Sequence, residues 1–142
     1  MTVPTEYQQA NIAFYNFLTD IRDQTNFDST HPAYTIAQGV LQAFRRRLEI
    51  NDAIRFANVL PVGLRALFVA DWDPDEPRRP FEDRETMTRE VQNLRPMHNY
   101  APDNAIEMVA CALRRNVDRE ALDRVLATLP QGAVEFWRVS KP

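Results

Sequence analysis

Val40-Leu41-Gln42-Ala43-Phe44-Arg45-Arg46-Arg47 returns later in the chain as Val109-Ala110-Cys111-Ala112-Leu113-Arg114-Arg115-Asn116. The match extends both ways without a gap. Ala33–Val69 can be laid on Pro102–Arg138 at an offset of 69, which also places Arg55, Leu60, Pro61 and Gly63 on Arg124, Leu129, Pro130 and Gly132. Upstream, Phe14, Leu18 and Ile21 match Met87, Val91 and Leu94 at an offset of 73, so the loop Arg95–Ala101 is four residues shorter than its counterpart. The chain reads as two copies of one unit, about 5–72 and 81–138.

Apolar spacing gives the unit its elements. Tyr7, Ala10, Phe14, Phe17, Leu18 and Ile21 recur at helical intervals and predict a helix from Thr5 to about Asp23, with Thr5 and Gln8 as a capping box. Ala33, Ala37, Val40, Leu41, Phe44 and Leu48 predict a second helix over His31–Leu48, capped by Ser29 or Thr30 with Pro32 in its first turn. Its end carries Arg45, Arg46 and Arg47, cations suited to a negative helix terminus. Asn51 is the expected cap of a short helix over Asp52–Val59. Pro61 breaks that helix because proline lacks the amide and clashes with the preceding turn. Val62–Ala70 follows as a further short helix, and Asp118 caps the equivalent third helix of the second copy.

Asp71–Pro80, with three prolines, reads as a linker anchored by Trp72. Phe136 and Trp137 are expected to close the chain against the core. A unit of roughly 60–70 residues has a marginal core by itself. Two units stacked through their stripes bury both, so residues 1–142 are expected to form one all-α domain, a pseudo-twofold helical bundle with linker 71–80.

Composition narrows the function classes. Of 142 residues 44% are apolar and 26% charged, a globular balance, and the net charge is −3. A nucleic-acid partner is not expected, because phosphate binding needs a cationic excess. Nor is a membrane partner, since no apolar run approaches the ~20 residues of a span. Cys111 is the single cysteine, which excludes an intrachain disulfide and a cysteine-based zinc cage. No signal pattern opens the chain, so a cytoplasmic setting is the expectation. With only three glycines, many tight hairpins are not expected.

Arg46-Arg47-Leu48 before a short helix, the run Leu60-Pro61-Val62-Gly63-Leu64-Arg65, and then Trp72-Asp73-Pro74 resemble one bacterial family. So does the second Leu-Pro followed by the Phe136-Trp137 pair. The family is catalogued as domain of unknown function 2267, and the resemblance runs from Ile12 to Trp137. It implies a small helical protein and supplies no activity, substrate or catalytic residue. The second Leu-Pro continues as Gln131-Gly132-Ala133, a small departure from the first.

Few residues suggest chemistry. Arg45 and Arg46 match Arg114 and Arg115, and such repeated guanidinium pairs can clamp a dianion or an acidic peptide. The alternative is that they cap helix carbonyls and pair with Glu49 or Asp118. His31 and His98, with Asp28 and Asp103 nearby, lack the helical spacing that would impose a metal geometry, and no metal or cofactor is expected. Asp71, Asp73, Asp75 and Glu82 occupy calcium-loop positions, but Glu76 stands where that loop requires glycine. Cys111 reads as a small helix residue. No nucleophile elbow and no phosphate-cradling glycine loop occur, and no enzymatic activity is expected. A non-enzymatic module binding a protein or a second copy of itself is the leading expectation. A small anionic ligand held by the repeated arginines is the alternative, and a metal-dependent enzyme using the histidines comes third.

Overall fold

The apolar spacing becomes nine α-helices and no strand among the residues that the computed structural model describes, 2–26, 29–94 and 101–140. In chain order these are α1 (Thr5–Gln8), α2 (Ala10–Arg22), α3 (His31–Arg45), α4 (Ile50–Ala57), α5 (Val62–Val69), α6 (Arg84–Asn93), α7 (Ala105–Asn116), α8 (Arg119–Thr128) and α9 (Ala133–Phe136). Leu-Pro ends a helix twice, before α5 and before α9. In both places a glycine backs onto a phenylalanine ring. A Cβ on Gly63 would meet Phe14, and one on Gly132 would meet Phe81.

Local chemistry departs from expectation at several starts. The first helix divides at Gln9 (φ −102°, ψ 12°), and α1 buries nothing, so Tyr7 stays exposed. The Thr5–Gln8 capping box does not form: Gln8 Nε2 donates backwards to the Val3 carbonyl at 2.6 Å, and Pro4 holds the cap position. Thr30 stands before α3 in helical conformation, and its hydroxyl makes no capping bond. Helix α3 stops at Arg45, where the amides of Arg47 and Leu48 turn to the carbonyls of Phe44 and Arg45 and tighten the last turn. Glu49, extended at ψ 159°, takes the cap position of α4, and Asn51 lies inside the first turn. The aspartate caps are well formed. Asp118 accepts from the Ala121 amide at 3.2 Å and Asp83 from the Thr86 amide at 2.7 Å.

The core lies between the long helices. α2 packs on α7 and α3 on α6, while α3 also touches α2, α5 and α7. At one end α4 meets α8, beside an aromatic cluster. Phe44 lies 4.7 Å from Phe56, 5.0 Å from Phe136 and 5.3 Å from Trp137, and Phe56 stacks on Trp137 at 5.7 Å. Each buried aromatic of this kind contributes about 1.5–3 kcal/mol by leaving water, with a further increment from edge contacts. Phe17, Phe44, Phe56, Phe68, Phe136 and Trp137 are therefore core. Trp72 is half-buried and packs on Phe68 at 6.4 Å.

Candidate functional site

The end of α3 directs three consecutive arginines along three paths. Arg45 turns inward: Nη1 donates to the carbonyls of Phe68 (3.0 Å) and Ala70 (2.9 Å), and the guanidinium sits 5.2 Å over the Trp72 ring. Burial, reinforced by the neighbouring Arg46 charge, lowers its pKa against the pull of Glu76 and Asp71. Arg46 holds two carboxylates, Glu76 through Nε at 2.7 Å and Glu90 through Nη1 at 2.8 Å. Burial works against its charge, but the two carboxylates outweigh burial and raise its pKa.

Arg47 is the most deeply set of the three, its side chain 0% exposed. Nη1 donates to the Ala43 carbonyl at 2.7 Å and Nε to the Pro80 carbonyl at 3.2 Å, while Nη2 lies 3.2 Å from Glu82 and 2.8 Å from Glu90. Burial raises the Glu90 pKa, and the bonds and charges of Arg47 and Arg46 reverse that, leaving the carboxyl below its ordinary range. The expected partners of this run, Glu49 among them, are replaced by residues farther along: Glu49 pairs with Arg78 at 2.7 Å. The sequence reading left Arg47 out of the site. Its place three residues after Phe44 and seven after Val40 was the available signal, because that spacing puts it on the buried face of α3.

The second run, at the end of α7, faces a different setting. Arg114 Nε donates to the Trp137 carbonyl at 3.1 Å, and Nη1 pairs with Asp123 at 3.0 Å, so Asp118 is not its partner. Arg115 is exposed and makes no hydrogen bond or ion pair among the described residues. Both line a cleft of about 490 Å³ whose wall is Cys111, Arg114, Arg115, Arg119, Asp123, Val134, Arg138 and Val139. Four guanidiniums thus line it with one carboxylate, already tied to Arg114, while Arg138 is paired with Glu135 and Arg119 Nε donates to the Arg114 carbonyl at 3.0 Å. A comparable hollow of about 420 Å³ at the first run is lined by Arg45, Arg46 and Arg78 but also by Glu49, Glu76 and Trp72. There the linker supplies both the acid and the aromatic ring.

Other candidates are accounted for by their partners. Glu82 goes to Arg47 and Glu76 to Arg46, while Asp73 Oδ1 accepts from the Asp75 amide at 2.9 Å, so the calcium-loop acids do not converge. His31 is exposed at the start of α3, and Asp103 accepts from Gln92 at 3.0 Å. His98 and Asp28 lie outside the described residues. Among the described residues, no three His, Cys, Asp or Glu are placed to share a metal ion. Cys111 is half-buried on α7. Burial first, then the Glu107 charge, raises its pKa above the ordinary thiol value, against the three arginines Arg115, Arg114 and Arg84. No helix among the described residues is long and apolar enough to cross a membrane.

Packed helices with an arginine-lined surface cleft define the class, an all-helical protein. The chain belongs to the family described as uncharacterized conserved protein (DUF2267), whose model matches residues 14–136. No curated protein matches it.

Proposed function

We propose that this protein is a non-enzymatic, two-repeat helical interaction module that docks an acidic segment of a partner protein in the cleft of Arg114, Arg115, Arg119 and Arg138. The observation that carries the reading is the charge of that cleft, where Arg114 is paired with Asp123 and Arg138 with Glu135 but Arg115 and Arg119 meet no acid among the described residues. Guanidinium forks favour carboxylates, and Val134 and Val139 add apolar floor. Arg115, Arg119, Val134 and Arg138 are all exposed, so the site is a shallow trough. A small ligand is normally engulfed over most of its surface, whereas an extended segment can lie across a trough. This favours the protein partner over a free small anion.

The repeat reading is supported by pairings that survive exchange of the halves. α2 lies on α7 and α3 on α6; α3 touches α7 and α4 touches α8. Arg45 and Arg114 also reach carbonyls 69 residues apart, those of Phe68 and Trp137. A cytoplasmic, bacterial setting goes with this proposal, since the single thiol needs no oxidising compartment.

Fluorescence anisotropy with a labelled deca-glutamate peptide tests the function. Binding should weaken as salt rises, and Arg115→Glu with Arg119→Glu should weaken it at least tenfold, about 1.4 kcal/mol. Arg55→Glu, at an exposed position of α4 away from the cleft lining, should leave it unchanged. No binding at low salt, or equal binding by the double variant, refutes the proposal.

A further inference from the structure

We infer that the segment this cleft takes is proline-bracketed and carries an aromatic residue shortly before a glutamate, the pattern that Asp71–Pro77 presents to the first arginine pair. The inference rests on the reading of the cleft just given. It uses the chain's own linker as a template. In the 69-residue register Arg46 corresponds to Arg115 and Arg45 to Arg114. The two inner arginines are anchored alike, Arg45 on the Phe68 carbonyl at 3.0 Å and Arg114 on the Trp137 carbonyl at 3.1 Å, so the outer arginines occupy corresponding places. At the first of these places the occupant is visible. Glu76 sits on Arg46 Nε at 2.7 Å, and Trp72, four residues earlier, lies against Arg45. Pro74 sits inside a turn that the Glu76 amide closes on the Asp73 carbonyl at 3.1 Å, and Pro77 follows it, so the segment is held in shape and loses less entropy on docking.

At the second place Arg115 meets no acid among the described residues, and Val134, 48% exposed, offers a face for a ring. A segment of this kind would set its glutamate on Arg115 and its aromatic ring against Arg114, the counterpart of Arg45, with Val134 and Val139 in the same cleft. A bare phosphate satisfies only the first contact. A polyglutamate chain satisfies the charge but leaves the apolar floor wet.

The test uses the full chain and a fluorescein-labelled peptide of residues 70–78, Ala-Asp-Trp-Asp-Pro-Asp-Glu-Pro-Arg. It should bind at least fivefold tighter than a scrambled peptide of the same composition. Glu76→Gln or Trp72→Ala in the peptide should remove that advantage. Arg115→Ala in the protein should abolish the preference, Arg115→Lys should restore only part of it, and circular dichroism should show both variants folded. Equal binding of the native and scrambled peptides, with deca-glutamate binding intact, overturns the inference while the anionic cleft stands. Full displacement of the peptide by inorganic phosphate at lower concentration also overturns it. Loss of all acidic-peptide binding removes both this inference and the function beneath it.

Discussion

Replacing Arg47 by methionine should cost this fold about 3 kcal/mol. Methionine keeps most of the aliphatic stem, so the change removes the guanidinium without opening a large cavity. Four acceptors lose a partner: the Ala43 and Pro80 carbonyls, Glu82 and Glu90. Breaking a buried pair by removing one member costs about 3–5 kcal/mol, because the other charge stays behind in a poor solvent. The low end applies here, since Glu90 keeps Arg46 at 2.8 Å and Glu82 is substantially exposed. For a chain of this length that loss lowers the melting temperature by about 10 °C. Urea unfolding followed by circular dichroism at pH 7 measures it. Adding Glu90→Leu to Arg47→Met should recover part of the loss, because no half-buried carboxylate is then left facing the gap. The reasoning fails if the single variant stays within about 1 kcal/mol of the parent, or if the double variant loses the full sum of the two singles.

Acid unfolding follows from the same cluster. The native Glu90 pKa lies below its unfolded value, so its contribution is present above the ordinary carboxylate pKa of about 4.3 and is lost as pH falls through the native value; the urea midpoint should drop below about pH 4, and Glu90→Gln should flatten that part of the profile. Gly132→Ala should cost about 3 kcal/mol, since φ is +108° and the new Cβ would lie 2.6 Å from Phe81 Cγ. Gly63→Ala should cost clearly less in the same denaturation assay, because it gains about 1 kcal/mol of helix propensity against its 2.9 Å approach to Phe14. Cys111 should react with a disulfide reagent at pH 7.5 more slowly than free cysteine, and Glu107→Gln should quicken it, as burial and the Glu107 charge both hold the thiol protonated.

The helical class and most of the core were legible because stripes such as Ala33, Ala37, Val40, Leu41 and Phe44 have only one low-energy way to leave water together, as one helix face. The Leu-Pro breaks were legible for a covalent reason. Helix starts were less so: a threonine or asparagine advertises a cap, yet at Thr30 and Asn51 the tertiary path decides which residue turns, and no side-chain bond results. The arginine pairs were found, but their surroundings were not. Whether a guanidinium meets a carbonyl, a carboxylate or open water depends on contacts 20 to 50 residues away. Arg45 with Phe68, Arg46 with Glu90 and Arg115 with no acid cannot be told apart by the spacing of neighbours.

The position that best joins architecture to chemistry is the one after each arginine pair, Arg47 in the first run and Asn116 in the second. The side chains differ, yet both first satisfy the carbonyl four residues back, Ala43 and Ala112, each at 2.7 Å. Both then reach a carboxylate on a helix distant in sequence, Arg47 to Glu90 on α6 and Asn116 to Asp20 on α2, each at 2.8 Å. A polar residue set at the edge of a packed seam is costly unless its partner arrives in register, so each contact favours one alignment of the helices it joins. The charge was placed unequally: a full ion pair where the linker crosses, a neutral amide where it does not. Arg46 and Arg47 are both turned toward Glu90, joined there by Arg79 of the linker, and Arg45 is tied to the Phe68 and Ala70 carbonyls. At the second run the matching acid, Asp20, is held by the neutral Asn116 amide, and Arg115 beside it is exposed. The sealed corner and the open cleft therefore differ by the acids that reach them, Glu76, Glu82 and Glu90 at the first run and Asp123 on Arg114 at the second.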